Sequence, residues 1–121
     1  MTAEKIELHS VQEAFEVIER LGSNNSRLMA TRAIHINVLL KQVPGSEARL
    51  LKAVYNDIGA EAAINSQAYT EEAGAVTDVL VMGTLYQHRE VRRVLAADPR
   101  TRVWIDAIED VVEKSTEARE S

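Results

Sequence analysis

Residues 78–86 read DVLVMGTLY. One acid is followed by eight apolar or small residues, and no charge returns until Arg89. A run of this kind is either the spine of a buried helix or a strand covered on both faces. As a helix it would start at a Thr70 cap, with Glu71 and Glu72 in the first turn, where carboxylates suit the helix dipole. It would continue to Ala97, with Val76, Leu80, Gly83, Gln87, Val91 and Val94 on one stripe. Gly83 would then mark a close approach by a neighbouring helix. As a strand, HREVRRVLAA (88–97) would be a crossover helix and TRVWIDAI (101–108) the next strand. The flanking caps, Thr70 on one side and Asp98–Pro99 on the other, both look like helix starts. The chain also offers few other strands to complete a sheet. These two features favour the helix.

Outward from this run, other segments follow a helical period. Ser10 with Glu13 forms a capping-box pattern, and Val11, Ala14, Phe15, Ile18 and Leu21 recur at helical spacing until Gly22. SNNS (23–26) is a turn. A second helix is expected from Arg27 to about Val43, stopped by Pro44 and Gly45. Its stripe is Met29, Ala33, Ile36, Leu40 and Val43, spaced 4, 3, 4 and 3. Ala30, Ile34 and Val38 fall on the opposite side, as in a helix shared with a second subunit. A third begins at Ser46 and carries Leu51, Val54, Tyr55, Ile58 and Ala62 on one face. Gly59 is a weak point in it, and AEAAINSQAY (60–69) continues it with less contrast. The last helix, after Asp98–Pro99, buries Trp104, Ile108, Val111 and Val112.

The bulk composition agrees with that picture. Two prolines and five glycines in 121 residues favour long helices over many short strands. Aromatic residues are 4%, so the core is aliphatic. Cysteine is absent, which removes disulfides, thiolate nucleophiles and zinc–thiolate sites. No apolar run approaches the roughly 20 residues that cross a bilayer, and MTAEKIELHS is no secretory signal. The expected location is cytoplasmic, with no membrane partner. A net charge of −5 argues against general nucleic-acid binding.

No motif names a chemistry. Phosphate loops and nucleophile elbows are missing. TDVLVMGT (77–84) resembles the strand-plus-glycine segment of universal stress proteins. The resemblance spans eight residues, and that family's nucleotide site needs further glycines downstream, whereas none follows Gly83. His9, His35 and His88 lack the carboxylate or histidine spacing of a metal site. No catalytic residue, metal or cofactor is therefore expected. Residues 86–102 hold five arginines against two acids, net +3. Residues 103–121 hold six acids against two bases, net −4. The two blocks are expected to meet, within a subunit or across an interface. The turn around Gly22 could open a DNA-reading helix at Arg27 and Thr31, but that helix is long and apolar on two sides, so nucleic acid is not an expected partner.

The expected fold is all-α: one domain over residues 1–121, an antiparallel bundle of about five helices. Residues 1–9 would form a flexible arm and 114–121 a frayed tail. The alternative is a small α/β fold with strands near 78–85 and 101–106. The expected function is a non-enzymatic helical interaction module, an adaptor, regulatory or assembly subunit that forms a homodimer and binds a protein partner. Its surface would be Ile34 and Val38, rimmed by His88, Arg89, Arg92 and Arg93. The competing expectation is a small-molecule-binding regulator or enzyme, with His35, Asn37, Tyr55 and Tyr86 as polar handles in a pocket between helices.

Overall fold

The computed structural model describes residues 2–69 and 75–116. Helices α1 (Val11–Arg20) and α2 (Ser26–Ala33) lead into strand β1 (His35–Pro44), helix α3 (Gly45–Asp57) and strand β2 (Glu61–Ile64). A single 3-10 turn, Ser66–Tyr69, precedes strand β3 (Val76–Thr84), which runs into helix α4 (Leu85–Val94) and then helix α5 (Arg102–Thr116). The fold is mixed α/β, and the expected all-α bundle is wrong. The strands form one antiparallel sheet in the order β1-β3-β2.

Three helix assignments give way to strands. The expected helix over 27–43 is α2 followed by β1. In β1 burial alternates strictly: Ile36, Val38 and Leu40 point inward, and His35, Asn37 and Leu39 point out. The apolar positions 36, 40 and 43 satisfy both a helical seam and a strand, so the helical spacing was real but not decisive. DVLVMGTLY is β3 through Thr84, and Leu85 and Tyr86 open α4. The strand expected there in the alternative fold is present, but its second strand near 101–106 is the start of α5. The supposed extension of the third helix is instead β2 and the 3-10 turn. Thr70, Glu71 and Glu72 lie outside the described residues, as do 117–121 of the expected tail, whereas 114–116 are helical.

Two junctions contain no loop. β1 passes straight into α3 at Pro44–Gly45, and β3 into α4 at Thr84–Leu85. The second is fixed by a capping box. The Gln87 N–H donates to Thr84 Oγ1 at 3.1 Å, and the Thr84 N–H donates to Gln87 Oε1 at 2.9 Å. Gly83 makes room for that glutamine: a Cβ at Gly83 would lie 3.2 Å from Gln87 Oε1 and 3.3 Å from the Ala60 Cβ. The close approach at Gly83 is thus to a helix-cap side chain and a loop alanine.

The helices α3, α4 and α5 pack on one face of the sheet. Ile36, Val38, Leu40, Val79 and Val81 meet Leu51, Tyr55, Leu85, Val91, Ile105 and Ile108 in a single core. Each fully buried aliphatic side chain contributes about 1.5–3 kcal/mol relative to exposure. α1 and α2 pack against each other, and α2 against α4; Ala14 and Ala30 are buried in the same core.

Candidate interaction surface

The outer face of the sheet has no helical cover among the described residues. The pairing register sets its side chains in rows. Leu39, Leu80 and Ala63 form one row, and Asn37, Met82 and Glu61 the next. Leu39 is 54% exposed and Val76 is 57% exposed, while Leu80 and Met82 are half-buried. Opposite faces of a strand differ in this way when only one is packed. Here the solvent face is apolar at its middle, which is the unusual feature. Polar groups rim it. His35 Nε2 lies 3.0 Å from Asn37 Oδ1, and Lys41 Nζ lies 3.7 Å from Asp78 Oδ2.

The Asp78 carboxylate also holds a β-bulge. Lys41 and Gln42 together oppose Asp78, Gln42 takes a left-handed backbone (φ +54°), and its N–H donates to Asp78 Oδ1 at 3.0 Å. The bulge ends the regular part of β1 after Leu40.

Beneath the sheet lies a buried polar pair. Tyr55 of α3 and His88 of α4 meet edge to face, with Tyr55 Oη 2.7 Å from His88 Nδ1. His88 Nε2 lies 2.8 Å from the Ile36 carbonyl. A carbonyl only accepts, so Nε2 carries the proton and Nδ1 accepts from the tyrosine hydroxyl. The histidine is neutral. Burial holds its pKa below the ordinary value of 6.5; the Ile36 carbonyl pulls it partly back up, the nearby His35 adds a smaller downward push, and the Gly83 backbone a still smaller upward one. Burial also pushes the Tyr55 hydroxyl well above 10. Both ring nitrogens and the hydroxyl are satisfied, so the pair ties α3, α4 and β1 together and presents no free base.

The residues expected to act together are dispersed. Ile34 and Val38, assigned to an exposed second helix face, are each 3% exposed and belong to the core. His88 is buried. Of the rim, Arg92 pairs with Glu109 and lies 3.9 Å from Asp106 of α5, so the basic and acidic blocks do meet within the chain. Arg93 pairs with Glu90 on its own helix, and Arg89 is exposed. The four pocket candidates do not converge either. His35 and Asn37 are on the outer face, Tyr55 is in the core, and Tyr86 stacks under the Arg32 guanidinium, 4.3 Å from its ring centre.

A cleft between α4 and α5, lined by His88, Arg92, Ile105, Ile108 and Glu109 among others, has a cavity volume of about 30 Å³. That is room for about one water, far below the several hundred Å³ of a metabolite site. Among the described residues no three His, Asp or Glu side chains gather as a metal site would require, and no helix is long and apolar enough to cross a membrane. Sequence reasoning missed Leu39, Leu80 and Met82 as surface residues. The signal was available in His35–Ile36–Asn37–Val38, whose polar–apolar alternation marks which face of β1 is dry. No protein-family model matches the chain, and no curated protein or solved structure matches it.

Proposed function

We propose that this chain is a non-enzymatic interaction module, a self-associating adaptor, regulatory or assembly subunit. One observation carries the reading: among the described residues the sheet is packed on one face and leaves Leu39, Leu80, Met82 and Val76 on the other without a cover. Association with a second copy, and through it with a further protein partner, takes that apolar surface out of water. The satisfied Tyr55–His88 pair and the dispersed polar residues offer no competing site for chemistry.

Sedimentation velocity from about 1 to about 100 µM, a range in which a modest interface shows itself, tests the reading. The wild-type chain sediments faster as its concentration rises. The double variant Leu39→Asp/Leu80→Asp, altered only on the solvent face, keeps its circular dichroism spectrum and associates less. A wild-type chain that stays monomeric throughout refutes self-association.

A further inference from the structure

The two edges of the sheet are finished differently. β3 is central, so β2 and β1 each turn one edge outward. On β2 the outward backbone groups at Ala62 are already occupied. The Ala62 N–H donates to Glu61 Oε1 at 3.0 Å, and Lys52 Nζ donates to the Ala62 carbonyl at 2.6 Å. Two charged side chains thus plug this edge against another strand.

Among the described residues, β1 has no such plug over most of its length. The Leu85 N–H donates to the Ile34 carbonyl at 2.8 Å, which fixes the phase of the ladder. Ile34, Ile36, Val38 and Leu40 bond inward to the β3 side, so His35, Asn37 and Leu39 direct their N–H and C=O groups away from the sheet. Among the described residues no hydrogen bond reaches those backbone groups. The open stretch has sharp limits. α2 ends at Ala33 on one side, and on the other the one-to-one register with β3 stops at Leu40, before the Lys41–Gln42 bulge. Asn37 is its midpoint.

We propose that two copies of this chain pair antiparallel along β1, about a twofold axis at Asn37. The proposal rests on the self-association reading and adds to the outer face a second contact, at the β1 edge, which itself leaves Leu80, Met82 and Val76 uncovered. Asn37 then faces Asn37 of the partner subunit, and His35 faces Leu39 of the partner subunit. Every outward donor and acceptor at 35, 37 and 39 is used, for about six hydrogen bonds across the seam. An axis at Ile36 or Val38 leaves one outward residue of each copy unpaired, and an axis at His35 or Leu39 leaves more. A second copy fits better than an arbitrary strand because both ends of the open stretch stop together only under this symmetry. The axis is perpendicular to the sheet, so dry face continues into dry face. α5, which packs against β1 and carries the exposed Val103, Ala107 and Val111, flanks the seam in both copies.

The absence of cysteine makes the register readable by disulfide trapping. Directly opposed residues of a hydrogen-bonded antiparallel pair have Cα atoms about 5.5 Å apart, within disulfide reach. Asn37→Cys is expected to give a covalent dimer under mild oxidation. Leu39→Cys, whose symmetry mate lies four residues along the seam, about 13 Å away, is expected to link at least tenfold more slowly. Melting under reducing conditions confirms that each variant is folded. In a second arm, Asn37→Pro removes an N–H that bonds to nothing within the subunit; it is expected to weaken dimerisation at least tenfold. Equal trapping at 37 and 39, or none at 37 while the wild type sediments as a dimer, overturns the edge pairing and leaves self-association standing on another surface. A monomeric wild type overturns both.

Discussion

Replacing Tyr55 by phenylalanine removes one oxygen atom from the centre of the molecule and changes little else. The ring is fully buried and its edge contact with His88 survives the change. What goes is the 2.7 Å hydrogen bond to His88 Nδ1. His88 is only 4% exposed, so water does not replace the lost donor easily. Nor can the ring turn over to use its other nitrogen, because Nε2 is committed to the Ile36 carbonyl. An orphaned buried acceptor costs about 1–3 kcal/mol, more than the net worth of an ordinary hydrogen bond. The small gain from burying a less polar ring offsets part of this, and a loss of about 2 kcal/mol is expected. For a chain of this length the urea midpoint then falls by about 1 M with an unchanged slope. Urea unfolding at pH 8, where the histidine is neutral in both states, measures it. A change below about 0.5 kcal/mol would mean that the hydroxyl–imidazole contact contributes nothing net, and the assignment of Nδ1 as acceptor would fail with it.

The same histidine makes stability depend on acidity. Its folded pKa lies below 6.5, so both states are neutral above that value and the stabilisation is fully present there. As the pH falls below 6.5 the unfolded chain takes up a proton that the fold refuses, held off by burial and, to a smaller degree, by the neighbouring His35. Stability drops by up to about 1.4 kcal/mol per pH unit until the folded value is reached, then levels. Urea titrations at pH 8, 6.5 and 5.5 should show this slope in the wild type and not in His88→Gln; the same slope in both would assign it elsewhere. Gly83→Ala forces the Gln87 side chain away from its 3.2 Å position and weakens the bond that caps α4. A loss of about 1 kcal/mol is expected, seen as a melting temperature lower by about 4 °C; an unchanged or higher melting temperature would show that the cap is not built around the glycine.

Local signals that act within a few residues were legible. Ser10 caps α1, accepting from the Glu13 N–H at 3.1 Å, and Gly22 ends that helix region with φ +78°. Even there the detail differs, for the Glu13 carboxylate reaches the His9 N–H at 3.3 Å rather than that of Ser10. Gly59 was legible in principle: it takes φ +84° just beyond α3, the left-handed position that glycine fills after a helix, and is not a flaw inside one. β1 and β3 were ambiguous for a physical reason. Leu39, Leu80 and Met82 put apolar groups on the solvent face and so erased the period-two contrast that marks a half-buried strand. β2 had no signal at all. Glu-Ala-Ala-Ile prefers helix, and only pairing with β3 makes it a strand. The Tyr55–His88 pair joins residues 33 positions apart on two helices, and no spacing rule announces such a contact.

The strand order β1-β3-β2 also dictates when a sheet can first exist. Among the described residues β1 and β2 do not pair with each other; each pairs with β3, the last of the three to be made. On the ribosome, two-thirds of the chain must therefore emerge before any ladder forms, with Ile36, Val38 and Leu40 waiting unpaired on β1. Closing pairs such as His35 with Thr84 spans 49 positions, a long loop to close before any reward is felt. A nascent chain stopped before Val76 holds two strands and no sheet. The step that inserts β3 between them completes the dry face, the solvent face and the open edge at once.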